Sequence, residues 1–546
     1  MRSFFLFVIL ILASILRFWD LPNNPPGLTW DEAALGYNAY SILQTGRDEY
    51  GNFLPLNLKS FGDFKPALYA YLDIPFIAIF GLNELAVRLP SAIFGVLGVL
   101  GVFLLVERLF RKRELSFLSA FFLAISPWHL QFSRPAFEAN IALTLNIFAV
   151  YFFLRGLERK KILIFSTILF GLSLFTYQAS RLFVPLLMVI LFLVYRKSLD
   201  IKSVKVPVLI LAIFFALIFW TFFNGQTSRL FVQNLFAYQR TQEVISQISS
   251  EDGMMENSTG FKILHGQWWV YTKGLFERYL IYFSPKMLFI DGDYSERHRV
   301  PDLGALYFFS VILIPIGLVY LLKNGGKNSL FIFWWLILAP LPAVFSRDLI
   351  SNLRALNLSL PIAVLEGIGV WVIYKWFREI RGSWGYLGIG IILLMILSNF
   401  LIYLDRYFIH APIEYSKYWV YGQKQIFSLI KSENLDLSKF NKVVITNTFG
   451  QPYIYYLFYT KYPPADFQRQ AILDQPTSDV GTIRKIDNIE FRHIYWPTDR
   501  GERNALFIGS LEELPDQDTF PFREFRVVGD IEFLNGEKAL RIVETK

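Results

Sequence analysis

The chain has 546 residues, of which 54% are hydrophobic and 18% aromatic, and its mean hydropathy of +0.39 excludes an ordinary soluble domain. The net charge of +8 sits in short clusters between apolar runs rather than in one basic stripe with stacking aromatics, so no nucleic acid is expected as a partner. With no cysteine, the chain has no disulfides, zinc-thiolate sites or thiol nucleophiles.

The first apolar run, FFLFVILILASILRFW, has no small-x-small cleavage signal behind it and reads as a retained first span. Runs able to cross roughly 30 Å of hydrocarbon predict helices, not a barrel. The spans fall at 3–19, 88–107, 115–130, 139–155, 162–179, 181–195, 206–223, 303–322, 329–345, 355–374 and 385–404, about eleven in all. Arg111-Lys112-Arg113, Arg159-Lys160-Lys161, Arg196-Lys197, Lys323 with Lys327, and Lys375 with Arg378 and Arg381 then share one side, the cytoplasmic one. The protein is expected in the cell membrane, multi-pass, with its N-terminus inside and its C-terminus outside. PALYAYLDIPFIAIFGL, residues 66–82, is short and carries Asp73 and Pro75; counting it as a span would invert every later loop, so it reads as a helix at the outer interface.

The outer face thus receives residues 20–87, a turn around 126–138, a loop around 224–302, a turn around 346–354 and everything beyond about 405. Near Asp405 the long apolar runs stop. NKVVITNTFGQPYIYYLFYT and NALFIGSLEEL each read as a strand followed by a helix, and FREFRVVGDIEFLNGEKALRIVE as a hairpin turning at NGE. The expected division is an all-α membrane domain over 1–405 and an extracytoplasmic α/β domain over 406–546, long enough for its own core.

Unusual polar residues collect on the outer segments. Thr29 and Glu32 have the spacing of a capping box, which would explain the Asp31-Glu32 pair as helix capping alone. Asp31, however, falls four residues before Leu35 and eight before Ala39, on the stripe expected to pack, where capping needs no carboxylate. Lys65, beside Pro66 at the expected start of the interfacial helix, is either a snorkelling anchor or a phosphate ligand. Arg134 lies in an outer turn where positive-inside logic asks for no basic residue; it could form an exposed pair with Glu138 four residues on. His129 reads as a hydrogen-bonded structural residue rather than a metal ligand. Arg347 and Arg354 form a third outer basic pair, and guanidinium groups suit bidentate phosphate binding. The Asp291-Gly292-Asp293 stretch near Glu296 and His298 resembles an Asp-x-Asp metal motif, but such acidic pairs are common in loops and this one lies away from cytoplasmic nucleotide sugars. Glu366, inside a span, has no assigned role. Carboxylates and cations together suit sugar transfer from a lipid phosphate: a hydroxyl acceptor needs a base, and the departing phosphate needs cations.

LRFWDLPNNPPGLTWDEAALGYNAYSILQTG, FKPALYAYLDIPFIAIFGLNELAVRLPSAIFGVLGVL and SPWHLQFSRPAFEANIAL, in that order, resemble the first third of bacterial glycosyltransferase family 39, which includes protein O-mannosyltransferases and is related to lipid A aminoarabinose transferases. The resemblance covers residues 11 to about 145 well and the tail hardly at all. It implies the GT-C architecture, a polyprenyl-phosphate-linked sugar donor and a protein, lipid or glycan hydroxyl acceptor, with no metal and no other cofactor. By the same resemblance Asp31 matches a catalytic base and Glu32 its partner. Lys65 and Arg134 match donor-phosphate ligands and Arg354 matches more weakly, while Glu138 stands where an aspartate is usual. Competing readings are a flippase for a lipid-linked sugar and a glycan-binding scaffold.

Overall fold

Every predicted span contains a helix in the computed structural model, which describes residues 2–224, 239–380, 383–472, 481–520 and 524–546. Arg381 and residues 225–238 of the predicted outer loop lie outside the described residues. The helices relevant to the site are α1 (Arg2–Phe18), α2 (Trp30–Thr45), α3 (Leu68–Phe80), α4 (Glu84–Phe110), α5 (Arg113–Ile125), α6 (Pro127–Ser133), α7 (Glu138–Gly156), α8 (Leu163–Leu174), α9 (Ser180–Tyr195) and α10 (Ile201–Phe223). The later apolar helices are Ser310–Lys323, Lys327–Leu338, Ser359–Glu379 and Ser383–Asp405.

Among the described residues six helices are long and apolar enough to cross a membrane, or seven if α5 and α6, bent by 58°, make one span. The protein is therefore a multi-pass membrane protein, but length and composition do not reach the expected eleven. The physical reason is that an apolar run continues through turns that the helix does not: α8 stops at Leu174 although the run goes on, and Phe4–Phe18 and Ser310–Lys323 are apolar but short. The α5–α6 bend follows from Pro127, which starts α6 with Ser126 as its cap. α3, at 13 residues, is about 20 Å long and too short for a span.

The predicted basic clusters meet at one end of the bundle. Lys112 lies 4.5 Å from the Trp371 ring centroid and Lys375 3.8 Å from the same ring, while Lys327 lies 5.3 Å over Tyr195. Deeper in the bundle, helices Ser310–Lys323 and Ser359–Glu379 approach closely enough to exclude side chains. A Cβ on Gly317 would meet the Leu365 carbonyl at 2.1 Å and one on Gly369 the Leu313 carbonyl at 2.4 Å. Buried Glu366 accepts a hydrogen bond from Ser310 across this seam.

At the opposite end a hairpin that the sequence pattern did not reveal, β1 (Asn57–Ser60) and β2 (Asp63–Pro66), pairs Leu58 with Lys65; Phe61 and Gly62 make its turn with φ of 53° and 80°. Pro66 therefore ends a strand, and α3 begins only at Leu68.

The tail holds a six-stranded sheet in the order β4-β5-β3-β6-β8-β7. β3 (Lys442–Ile445) runs parallel to β5 (Ile489–Phe491) and β6 (Ala505–Gly509); β4 (Lys485–Ile486), β7 (Phe525–Glu532) and β8 (Lys538–Thr545) are antiparallel to their neighbours. The predicted strand–helix pair forms as β3 and the helix Pro452–Thr460, and β7–β8 is the predicted hairpin. After β6 there is a turn instead of a helix, because Glu513 is buried and accepts from Ser510 N at 2.8 Å, Ile494 N at 2.9 Å and Thr446 Oγ1 at 2.9 Å. One sheet face has a small core of its own around Trp496 and Phe507. The other continues into α2, α3 and α4, with Tyr37, Tyr69, Tyr453 and Ile508 in a single apolar cluster.

Gly369→Val should force the two helix backbones apart and destabilise the membrane domain by about 1–3 kcal/mol; thermal unfolding of purified protein checks this, and unchanged unfolding would contradict the close approach.

Candidate active site

The site begins at the start of α2. Thr29 has extended φ and ψ of −69° and 159°, and its hydroxyl accepts from Glu32 N at 3.2 Å while Thr29 N donates to Glu32 Oε2 at 2.9 Å. This is the capping box predicted from sequence, but it separates the two carboxylates. Glu32 turns inward to 2% exposure, and its other oxygen, Oε1, accepts from Arg88 Nε at 3.0 Å and Ala136 N at 3.0 Å. Its acceptors thus serve the fold, which leaves it a structural partner rather than a proton acceptor. Asp31, expected on the packing stripe, instead stands 40% exposed beside the first turn and forms an ion pair with Lys65. Lys65 is nearly buried, held by the hairpin and lying 5.1 Å from the Phe61 ring centroid.

Arg88, which sequence reasoning passed over as the edge of a span, is fully buried. Besides Glu32 it donates to the carbonyls of Leu21 at 3.0 Å, Pro22 at 3.4 Å, Pro25 at 2.8 Å and Gly27 at 2.6 Å. One guanidinium therefore folds the Pro-rich segment back on itself and places the start of α2. Gly27 allows the tail to close over that segment, since a Cβ there would stand 2.2 Å from the Trp419 carbonyl.

Arg134 is fully buried and donates to the carbonyls of Leu16 at 2.7 Å, Trp19 at 2.7 Å and Asn24 at 2.9 Å. Neither an exposed pair with Glu138 nor an open phosphate ligand, it is a second clamp on the same segment. His129 is also buried, and its Nδ1 accepts from Arg17 at 2.7 Å, so it works inside the bundle rather than at the site. Glu138 opens α7, half-buried and within electrostatic reach of Asp73 and Tyr69.

The stretches around 126–138, 291–302 and 346–354 meet in space. Gln131 Nε2 donates to the Arg297 carbonyl at 2.8 Å, Asn352 N to Asp293 Oδ2 at 2.6 Å, and Trp128 Nε1 to the Asn352 carbonyl at 2.9 Å. Asp293 is thus a buried loop tie, and among the described residues no cluster of three His, Asp or Glu fit to hold a metal is found. Arg354 donates to Ser346 Oγ at 2.6 Å and pairs with Asp348, while Arg347 is exposed with its carbonyl accepting from Arg278 at 3.4 Å.

The cation missed by sequence reasoning is Arg297. Its guanidinium lies 4.8 Å from the ring centroid of Trp30, the residue preceding Asp31, and donates no hydrogen bond among the described residues. Arg297 and Asp31 both act electrostatically on the buried Tyr455, whose hydroxyl donates to the Leu28 carbonyl at 3.0 Å. Trp30 in turn packs on Gly450 of the tail, where a Cβ would meet its ring at 2.7 Å. A half-exposed carboxylate, a lysine beside it and a guanidinium over the adjacent Trp30 ring therefore gather around the start of α2, against the tail. Such a set can take a proton from a hydroxyl and hold an anion.

Sequence comparison identifies the model of the dolichyl-phosphate-mannose-protein mannosyltransferase family over residues 64–222. A comparison with curated protein sequences gives no match. Among solved structures the chain is similar to ArnT from Cupriavidus metallidurans in the apo state, with 12% identity, 99% of this chain and 98% of that chain covered, and a TM-score of 0.55. The same protein bound to undecaprenyl phosphate gives 13% identity, 98% and 97% coverage and a TM-score of 0.53. The apo oligosaccharyltransferase of Archaeoglobus fulgidus gives 14% identity, 94% and 70% coverage and a TM-score of 0.50. Against that enzyme's complex with an inhibitory peptide and a dolichol-phosphate, the chain spans 63% of its length. These likenesses are of fold, and the fold is the GT-C architecture.

The two neighbouring carboxylates should respond differently to neutralisation. Glu32→Gln leaves Arg88 as a buried, partly unpaired charge and should cost about 3–5 kcal/mol. Asp31→Asn, at a half-exposed carboxylate that water can partly replace beside Lys65, should cost less. Thermal or denaturant unfolding of both variants checks the contrast, and equal losses would contradict it.

Proposed function

We propose that the protein is an integral membrane glycosyltransferase that moves a sugar from a polyprenyl-phosphate-linked donor to a hydroxyl acceptor at the outer face of the membrane, with inversion. The observation that carries this reading is the Asp31–Lys65 pair with Arg297 beside it, at the end of the bundle opposite the basic clusters. In the same reading the chain crosses the membrane eleven times, with its N-terminus cytoplasmic and the tail outside, so that the basic clusters face the cytoplasm.

Asp31 is the base. Its place in the first turn of α2, where the helix dipole favours the carboxylate, and its partial exposure suit a group that must stay ionised until an acceptor arrives. Before the donor binds, Lys65 occupies this carboxylate; the lipid phosphate then competes for the ammonium and frees Asp31. The acceptor oxygen attacks the anomeric carbon on the face opposite the phosphate and its proton passes to Asp31. The carbon–oxygen bond to phosphate breaks, and the electron pair leaves on the phosphate, where Lys65 and Arg297 stabilise the charge. Glu32, Arg88 and Arg134 act earlier, by fixing the segment that aims Asp31. The likeness to a structure that holds undecaprenyl phosphate supports a lipid phosphate as the leaving group.

Asp31→Asn should lower turnover by about 10²–10⁴-fold while binding of the lipid donor persists. Arg297→Ala should instead weaken donor binding roughly tenfold to a hundredfold, the worth of a charge-assisted contact. Steady-state assays with a labelled polyprenyl-phosphate sugar separate the two effects; full activity of Asp31→Asn would remove the base assignment, and unchanged donor affinity of Arg297→Ala would remove the phosphate role.

A further inference from the structure

Behind the Asp31–Lys65 pair lies a second carboxyl that the proposed mechanism does not use. Glu49 sits in the loop between α2 and β1. It is fully buried, and among the described residues neither of its side-chain oxygens has a hydrogen-bond partner. Its place is set by the backbone: Glu49 N donates to Asn38 Oδ1 at 3.0 Å, and the Asn38 amide is itself tied to the Ala34 carbonyl at 2.9 Å.

The groups that face it come from every element around it. Tyr37 and Asn38 belong to α2, Asp48 and Tyr50 to its own loop, Lys65 to β2 and Tyr453 to the tail helix Pro452–Thr460. Lys59 of β1 acts on Asp48. The tyrosines are themselves buried and held neutral by burial, so the cation that acts on Glu49 is Lys65. The Phe61 ring, over which the Lys65 ammonium lies, also packs edge-on against Tyr453 at 5.9 Å, so ammonium and buried pocket share one wall.

We propose that Glu49 is a positioning residue for Lys65, an inner carboxyl that competes with Asp31 and with the lipid phosphate for the same ammonium. This rests on the reading of Lys65 as a ligand of the donor phosphate. When Glu49 is neutral, Lys65 faces outward to Asp31 and the donor. When it is ionised, the buried carboxylate draws the ammonium inward, because among the described residues Lys65 is the cation that acts on it.

Burial and Asp48 push the Glu49 carboxyl up to about 8, against the opposite pull of Asn38 and Lys65. The outward arrangement therefore holds below that value and is lost above it. The same shift has a stability consequence. The folded protein holds a proton on Glu49 between the unfolded value near 4.5 and about 8, so stability falls as pH rises through that window.

The test uses the full chain in lipid nanodiscs, with undecaprenyl phosphate as the probe and binding followed from about pH 6 to about pH 9 for wild type and Glu49→Gln. Ionisation of the probe itself affects both proteins equally. Wild-type affinity should fall roughly tenfold with a midpoint near 8, and the variant should keep its affinity over the same range. Parallel profiles would overturn the inference while leaving the donor reading intact. Absence of binding by both proteins at every pH would overturn the donor reading and the inference with it. If Glu49→Gln does not fold, a wild-type profile that is flat through pH 8 is enough to overturn it. Thermal unfolding gives a second readout: the wild type should lose stability between about pH 5 and about pH 9 more steeply than the variant.

Discussion

The arrangement depends first on one buried ion pair. Arg88 and Glu32 are both removed from water, and a pair so placed is tolerable only when its remaining donors and acceptors are met. They are: the guanidinium takes four further carbonyls of the Leu21–Gly27 segment, and the carboxylate takes the α2 capping N–H and the Ala136 amide. The segment between α1 and α2 is therefore built around a charge, not around an apolar core. Its shape decides the rotation of α2 about its axis. With Glu32 held inward, the neighbouring Asp31, about 100° around the helix, must look elsewhere.

The same logic sorts the cations. An arginine whose donors are taken up by backbone carbonyls, as in Arg88 and Arg134, organises irregular backbone beside a membrane, where water cannot satisfy those carbonyls. An arginine that lies on the face of a ring and donates no hydrogen bond among the described residues, as Arg297 over Trp30, keeps its hydrogen-bonding capacity for something that arrives later. Lys65 is intermediate, since its partner is a half-exposed carboxylate that a stronger anion can replace. The tail completes the site: Gly450 packs on Trp30 and the Trp419 carbonyl on Gly27, so the sheet domain presses on the two ends of the segment that carries the base.

Several of these features could be read in the sequence because they depend on local spacing. The capping box needs only Thr29 and Glu32 three apart, and the β7–β8 hairpin only its alternating strands and the Asn535-Gly536 turn. The membrane class followed from the apolar runs. What could not be read depends on contacts across long separations. The helical stripe through Leu35 and Ala39 suggested a packed Asp31, but the phase of α2 is set by Arg88, 56 residues away. Arg88 itself looked like the edge of a span because α4 begins four residues earlier than the apolar run, at Glu84, which carries the arginine inside. Arg134 was conspicuous as an outer cation, yet backbone acceptors leave no mark in a sequence. Arg297 stood among several charges in a loop, and only the fold reveals which of them reaches Trp30. The β1–β2 hairpin was hidden by strands of four residues, too short to display alternation.

The most direct measurement of the proposed chemistry is made on purified wild-type protein in lipid, with a panel of radiolabelled polyprenyl-phosphate sugars and a hydroxyl acceptor fraction, in a single compartment without any gradient. Transfer catalysis predicts that label leaves the lipid and appears on the acceptor as free polyprenyl phosphate accumulates. Intact lipid-linked sugar throughout, together with its movement between leaflets in proteoliposomes, would contradict transfer and identify Lys65 and Arg297 as part of a transport path instead.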